Sequence, residues 1–189
     1  MKRIFILIPI ITTLFLFTNK ANAQNTSIGV KAGLLSAQIA NHSSNDQMIG
    51  FRAGAFITHS IVSDFGVGAE VNYARKGTGS NQNIQLNYLE IPVMAHYFFG
   101  KGSFRPKVFL GGYYARLINA KQGKQLLNGY ADEDYGLLAG LGFHKSIGQS
   151  RWLYGDVRYT YGLAEIKPTN QANRDLSLNV GVSFPLGNY

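Results

Sequence analysis

Eight segments of the sequence alternate apolar and polar residues with the two-residue period of a β-strand, and the connections between them alternate in length. The segments cover about residues 28–36, 49–58, 65–75, 84–99, 106–117, 135–146, 152–163 and 176–186. Four connections are long and three are short, in strict alternation. This pattern predicts an all-β chain that forms an eight-stranded antiparallel up-and-down barrel, with long loops at one rim and short turns at the other.

The two faces of each predicted strand differ in polarity, and this difference indicates whether the barrel lies in water or in lipid. In the third segment, the odd positions from Phe65 to Tyr73 are apolar, and the even positions between them carry glycines, Glu70 and Asn72. A soluble barrel directs its apolar face inward, whereas a membrane barrel directs it toward lipid. Because the charged face is also rich in glycine, which leaves room for long paired side chains, we predict a transmembrane barrel. A soluble periplasmic barrel is the alternative.

The polar faces carry the residues that we expect to form a structural cluster inside the barrel. An eight-stranded interior is filled by side chains, so we expect a packed polar core and no channel. The predicted cluster consists of Arg52, Glu70, Glu90, Lys107, Asp156 and Arg158.

Glu90 and Pro92 interrupt the apolar stretch "YLEIPVMAHYFF". If Leu89, Ile91 and the following odd positions face lipid, both interrupting residues face the interior. We expect Glu90 to meet a basic partner, with Arg52, Lys107 or Arg158 as candidates. Pro92 lacks a backbone N–H group, so we expect a bulge or a local gap in strand pairing beside it.

The first 23 residues, "MKRIFILIPIITTLFLFTNKANA", have the features of a cleavable secretory signal peptide. Lys2 and Arg3 precede an apolar run of about 14 residues, and the small-x-small sequence "ANA" ends at Ala23. The run is shorter than the roughly 20 residues of a spanning helix. We therefore predict a signal peptide at 1–23 and a barrel domain at 24–189. The chain has no Cys, so no lipoprotein anchor is expected.

The sequence gives little indication of catalysis or of metal or cofactor binding. Cys is absent and the four His lie in separate segments, so we predict no metal site and no cofactor. His144, Ser146 and Asp156 are the residue types that activate a serine nucleophile in a catalytic triad. However, Ser146 lies at a short turn, and we predict that the protein is not an enzyme. The formal charge of +8 falls to +5 without the first 23 residues, which does not favour a nucleic-acid partner.

Aromatic residues near the predicted strand ends are typical of the interfacial girdle of a membrane barrel. The residues assigned to this girdle are Tyr73, Tyr97, Phe99, Tyr113, Tyr114, Tyr159 and Tyr161. The acidic triplet "DED" at Asp132 to Asp134 falls in the longest loop, where we expect it to be solvated.

Several stretches resemble the PorT-like group of small outer-membrane β-barrels. They are "GVKAGLL", "GFRAGAF", "GAEVNYARKG", "NYLEIPVMAHYFF", "FLGGYYARL", "YGLLAGLGF" and "DVRYTYGL". The resemblance implies an integral barrel of a Gram-negative outer membrane. The namesake of the group assists protein export across that membrane, whereas most similar proteins have no assigned role.

Two functions of different class are compatible with this sequence. The first is a structural or interaction protein, expected to be a monomer, whose long loops contact lipopolysaccharide or partner proteins, above all through residues 37–48 and 118–134. The second is transport, as a narrow solute pore or an accessory of protein export. A lipid A hydrolase is a third alternative.

Overall fold

The computed structural model describes residues 26–39, 48–78, 84–123, 125–127, 129–148, 150–164 and 172–186. The predicted signal peptide lies outside these residues. Within them, no helix is long and apolar enough to span a membrane. The described strands are β1 (Thr26–Ile39), β2 (Met48–Val62), β3 (Phe65–Thr78), β4 (Ile84–Phe98), β5 (Phe104–Gln122), β6 (Gln125–Leu126), β7 (Glu133–Ser146), β8 (Trp152–Gly162) and β9 (Asn173–Leu186).

The eight long strands form a closed antiparallel barrel, as the sequence predicts. Each long strand pairs with the next long strand along the chain, and β9 pairs with β1 over the full length of both strands. Closure leaves no long strand with an unpaired edge, which is the condition for a β-structure to reside in lipid. The short turns after β2, β4 and β7 lie at one rim, here called the short-turn rim, and the long connections lie at the other, the long-loop rim.

The outward face of the barrel is apolar and the inward face is largely polar. On the outside, Val30 is 58% exposed and Leu110 is 68% exposed. Glu70, Asn72 and Asn179, which alternate with apolar neighbours, are almost completely buried. This distribution confirms the predicted membrane barrel and excludes an apolar interior of the soluble type.

Strand β5 is longer than the sequence predicts and changes the form of the longest loop. It continues to Gln122, where Gly123 turns the chain with a φ of 60°. The two-residue strand β6 then pairs back onto β5, and the Leu127 N–H group donates to the Ala120 carbonyl. Residues 118–134 are therefore partly a hairpin extension and not an open loop. Of residues 37–48, those at 40–47 lie outside the described part.

The strand pairing has a gap beside Pro92, as expected. Strands β3 and β4 pair at Ala69↔Val93 and again at Asn72↔Glu90, without pairing between them and without a change of register. The missing N–H group of the proline accounts for the gap. A register shift lies elsewhere, between β4 and β5 at Asn87/Tyr88.

Candidate functional site

Ten Lys, Arg, Asp and Glu side chains are buried in the described barrel, and their formal charges balance. All six residues of the predicted cluster are among them. The cations are Lys31, Arg52, Lys76, Lys107 and Arg158, and the carboxylates are Glu70, Glu90, Asp134, Asp156 and Asp175. A buried charge is tolerated only when it is paired and hydrogen-bonded, so the contacts of these groups determine what the interior can do.

Four of these residues form a closed ring of ion pairs, here called the Glu90 quartet. Glu90 accepts a hydrogen bond from Arg52 Nε at 2.9 Å, and Lys76 Nζ lies 2.5 Å from its other oxygen. Asp175 contacts the same two cations, at 3.2 Å from Arg52 and 3.0 Å from Lys76. Each cation therefore lies between two carboxylates, and β2, β3, β4 and β9 are joined inside the barrel.

A second network, here called the Glu70 group, lies closer to the middle of the strands. Arg158 donates to both oxygens of Glu70, each at 2.9 Å, and Lys31 Nζ donates to Glu70 at 2.6 Å. The bidentate Arg–carboxylate arrangement is the strongest geometry for such a pair. Arg158 also lies 3.5 Å from Asp156, which accepts from Asn179 at 2.7 Å. Because β3 and β8 are four strands apart in the eight-stranded barrel, this pair crosses the whole interior.

The partners of Glu90 differ in part from those proposed from the sequence. Arg52 is one of them, whereas Arg158 binds Glu70 instead. The second partner, Lys76, was missed, as was Asp175, because the predicted strands ended at residue 75 and began at 176. Strand alternation would have found both, since Lys76 shares the inward face with Glu70 and Asp175 shares it with Asn179.

Asp134 lies near the long-loop rim, where neutral groups hold it. Tyr113 Oη lies 3.2 Å from each of its oxygens, and Asn173 donates to it at 2.8 Å. Asn173 also contacts Tyr88 Oη at 3.2 Å, across the barrel. Tyr113 is 6% exposed, so its assignment to the lipid-facing girdle was wrong. The triplet is not uniformly solvated either, since Asp134 is buried and Glu133 accepts a hydrogen bond from Tyr114 on the outside.

Apolar side chains fill the remaining interior beside these tyrosines. The cluster consists of Ile84, Leu86, Tyr88, Met94, Phe109, Tyr113, Ala115, Ala120 and Leu138, with Leu117, Leu127 and Tyr130 packed against it. This cluster lies along the inner side of β4 and β5 and extends to the long-loop rim. The barrel is thus filled by two charged networks and one apolar cluster.

Lys107 lies in a different environment, near the short-turn rim. Its Nζ is 3.4 Å from His144 Nε2 and 4.2 Å from the centre of the Tyr154 ring. Within the described part of the chain, no carboxylate oxygen lies within 4.0 Å of it. It is therefore buried beside aromatic faces, to which a cation is attracted by the ring quadrupole.

The three residues considered for serine chemistry belong to separate networks. His144 contacts Lys107, Ser146 donates to the Gly148 carbonyl at 3.0 Å, and Asp156 is held by Asn179 and Arg158. Among the described residues, no group of three or more His, Asp or Glu side chains is arranged to hold a metal ion.

The fold and the outward apolar face define an integral outer-membrane β-barrel protein. The family model described as outer membrane protein beta-barrel domain matches residues 22–167, and the chain belongs to this family. The protein is accordingly a component of the cell outer membrane, where its outer face contacts lipid. No curated protein matches the sequence.

Solved outer-membrane barrels are similar to this chain in fold. Neisserial surface protein A has a TM-score of 0.65 at 16% identity, over 85% of this chain and 97% of its own. OprG of Pseudomonas aeruginosa has a TM-score of 0.55 at 12% identity, over 89% and 99%. Ail, the attachment invasion locus protein of Yersinia pestis, has a TM-score of 0.51 at 14% identity, over 84% and 96%. These identities are low, so the similarity establishes the fold alone.

Proposed function

We propose that this protein is a structural or interaction component of the outer membrane, a closed and non-conducting barrel that displays its long loops at the cell surface. Within its family we assign it to the PorT-like group. The observation that carries the proposal is the pair between Arg158 and Glu70, which crosses the interior as part of a fully buried network. In this proposal the interior charges hold the barrel together and do not serve a substrate, and the protein is not an enzyme.

The arrangement of the two networks supports a sealed interior. The Glu70 group spans the middle of the barrel, and the Glu90 quartet joins four strands closer to the long-loop rim. A solute would have to separate pairs whose disruption leaves a buried charge uncompensated, at a cost of about 3–5 kcal/mol for each broken pair. The apolar cluster beside Tyr113 adds a further barrier.

Basic residues on the outside of the long-loop rim support contact with lipopolysaccharide. The guanidinium groups of Arg75 and Arg174 lie 5.2 Å and 4.8 Å from the rings of Phe51 and Tyr161. Arg116 on β5 is exposed near the same rim. Such arginines at the height of interfacial aromatic residues suit the phosphate groups of a lipid headgroup. We propose that protein partners contact residues 37–48 and 118–134, farther from the membrane than these arginines. We also propose that the protein acts as a monomer and does not bind nucleic acid.

Conductance across planar bilayers tests the non-conducting part of the proposal. The refolded protein should give a current no higher than the bare lipid baseline, with a porin of known conductance as the positive control. Stable unitary steps would overturn the proposal and favour the alternative, a narrow solute pore or a component of protein export.

Lipopolysaccharide binding is tested by the triple substitution Arg75→Gln, Arg116→Gln and Arg174→Gln. The proposal expects less lipopolysaccharide to co-purify with this variant than with the parent protein. Arg151→Gln removes one arginine at the opposite rim and is the matched control, which should retain the parental amount. Equal amounts in all three proteins would exclude these arginines as headgroup ligands.

A further inference from the structure

We propose that the short-turn end of the barrel holds a binding pocket for a small organic anion that also bears hydroxyl groups. This site is at the opposite rim from the long loops, so the inference does not depend on their role. A cavity of about 330 Å³ opens there. Its volume lies at the lower end of the range for small-molecule sites.

The cavity wall is rich in hydroxyl groups, and none of the described residues that line it carries a side-chain carboxylate. Residues that line it include Thr58, Ser60, Arg105, His144, Trp152 and Ser183. Hydroxyl groups donate to and accept from polar ligands, and the wall offers them from several strands. Arg105 lies at the mouth, where its guanidinium stacks 4.7 Å from the Phe98 ring and donates to the carbonyl oxygens of Ser63 and Gly100.

One of these hydroxyl groups is buried without a partner. Ser183 is 1% exposed, it lines the cavity, and its Oγ has no hydrogen-bond partner among the described residues. The buried hydroxyl of Tyr154, below His144, is in the same condition. Buried polar groups are satisfied in the great majority of cases, so the hydroxyl of Ser183 is available to a polar group that enters the cavity. An anionic oxygen would accept the hydrogen bond that Ser183 donates.

The charge of the interior also points to an anion. Lys31, Arg52, Lys76 and Arg158 each lie within 3.5 Å of a carboxylate in the described barrel, whereas Lys107 does not. The buried interior has equal numbers of cations and carboxylates, but Asp134, the carboxylate that contacts no cation within 4.0 Å among the described residues, lies near the opposite, long-loop rim. Asp156 and Glu70 act on Lys107 electrostatically, but both are in contact with Arg158. The short-turn end therefore holds a buried cation that contacts no carboxylate of the described residues, directly behind His144, which itself lines the cavity. In a site of low dielectric constant, such a charge attracts an anion strongly.

A set of three small ligands tests the proposed chemistry. Glycerol 3-phosphate, glycerate and glycerol share a hydroxylated three-carbon frame and differ in bearing a phosphate, a carboxylate or no charge. The chain contains one Trp, and this residue, Trp152, lines the cavity, so its fluorescence reports binding in the detergent-refolded protein. We expect a saturable change with at least one of the two anions and none with glycerol. The stronger anion then identifies whether phosphate or carboxylate is the preferred group.

Variants locate the site. Lys107→Met removes the buried cation that contacts no carboxylate and should weaken anion binding at least tenfold, and Ser183→Ala should weaken it to a smaller extent. Lys101→Gln removes an exposed cation of the same rim outside the cavity and should leave the affinity unchanged. A boiling-dependent shift in gel migration shows that each variant is folded. If Lys107→Met does not fold, Arg105→Gln at the cavity mouth is expected to give the same loss.

Three results would overturn the proposal. They are the absence of a saturable response to both anions, a response to glycerol equal to that of the anions, and unchanged affinity in the folded Lys107→Met or Arg105→Gln variant.

Discussion

Replacement of Glu90 by Gln tests the Glu90 quartet. The change keeps the size of the side chain and removes one of two carboxylates, so Arg52 and Lys76 are left with Asp175 alone. Removing one partner of a buried ion pair costs about 3–5 kcal/mol, because the remaining charge is uncompensated. We therefore expect Glu90→Gln to lower the free energy of unfolding by about that amount.

Urea titration of the protein refolded in lipid bilayers measures this loss, with Trp152 fluorescence as the signal. Glu133→Gln is the matched control, because Glu133 is exposed on the outside and accepts one hydrogen bond from Tyr114, at 3.0 Å. A hydrogen bond between exposed groups contributes little, so the control should lose less than about 1 kcal/mol of the free energy of unfolding.

A double substitution separates charge balance from simple loss of contacts. Lys76→Met combined with Glu90→Gln leaves one cation, Arg52, facing one carboxylate, Asp175. The loss in the double variant should be smaller than the sum of the two single losses, by about 0.5–3 kcal/mol. If Glu90→Gln is as stable as Glu133→Gln, or if the single losses add, the interior pairs do not stabilise the barrel through their charge balance.

Two further pairs of substitutions probe packing and the lipid face. A Cβ atom at Gly140 would meet the backbone oxygen of Val157 and the Phe109 ring. Gly140→Ala should therefore lower the free energy of unfolding by about 1–3 kcal/mol in the same titration. Gly102→Ala is the control and should not lower it, because a Cβ atom there meets nothing within 4 Å. Val180 faces outward at the middle of β9, so Val180→Arg should lower the free energy of unfolding by about 2–4 kcal/mol. Ile49 lies near a strand end, and Ile49→Arg should lower it by only about 0–1 kcal/mol. Similar losses for Val180→Arg and Ile49→Arg would contradict the assignment of the lipid face.

The barrel could be predicted from the sequence because its two main signals are local. Strand alternation and the lengths of the connections follow directly from the order of residues. The pattern of β3, in which Glu70 and Asn72 lie between apolar residues, is enough to assign its two faces. The gap beside Pro92 was also predictable, since it follows from the covalent structure of proline.

The contacts inside the barrel could be predicted only in part, because they depend on which strands face each other and at what height. Arg158 and Glu70 meet through the relative position of β8 and β3, which alternation does not define. Strand ends are a second source of error, and they removed Lys76 and Asp175 from the predicted cluster. Tyr113 was assigned to the wrong face, because an aromatic residue near a strand end suits the girdle and the interior equally.

The most direct test of the central claim, that lipid lies outside and a sealed polar interior lies inside, uses the absence of native Cys. Val180→Cys places one thiol on the outer face, and Ser177→Cys places one inside, next to Arg52, which donates to Ser177 at 2.8 Å. The structure predicts that a membrane-soluble thiol reagent labels the first, and that neither this reagent nor a water-soluble one labels the second until the protein is unfolded. Rapid labelling of Ser177→Cys by the water-soluble reagent in the folded protein would contradict a sealed interior.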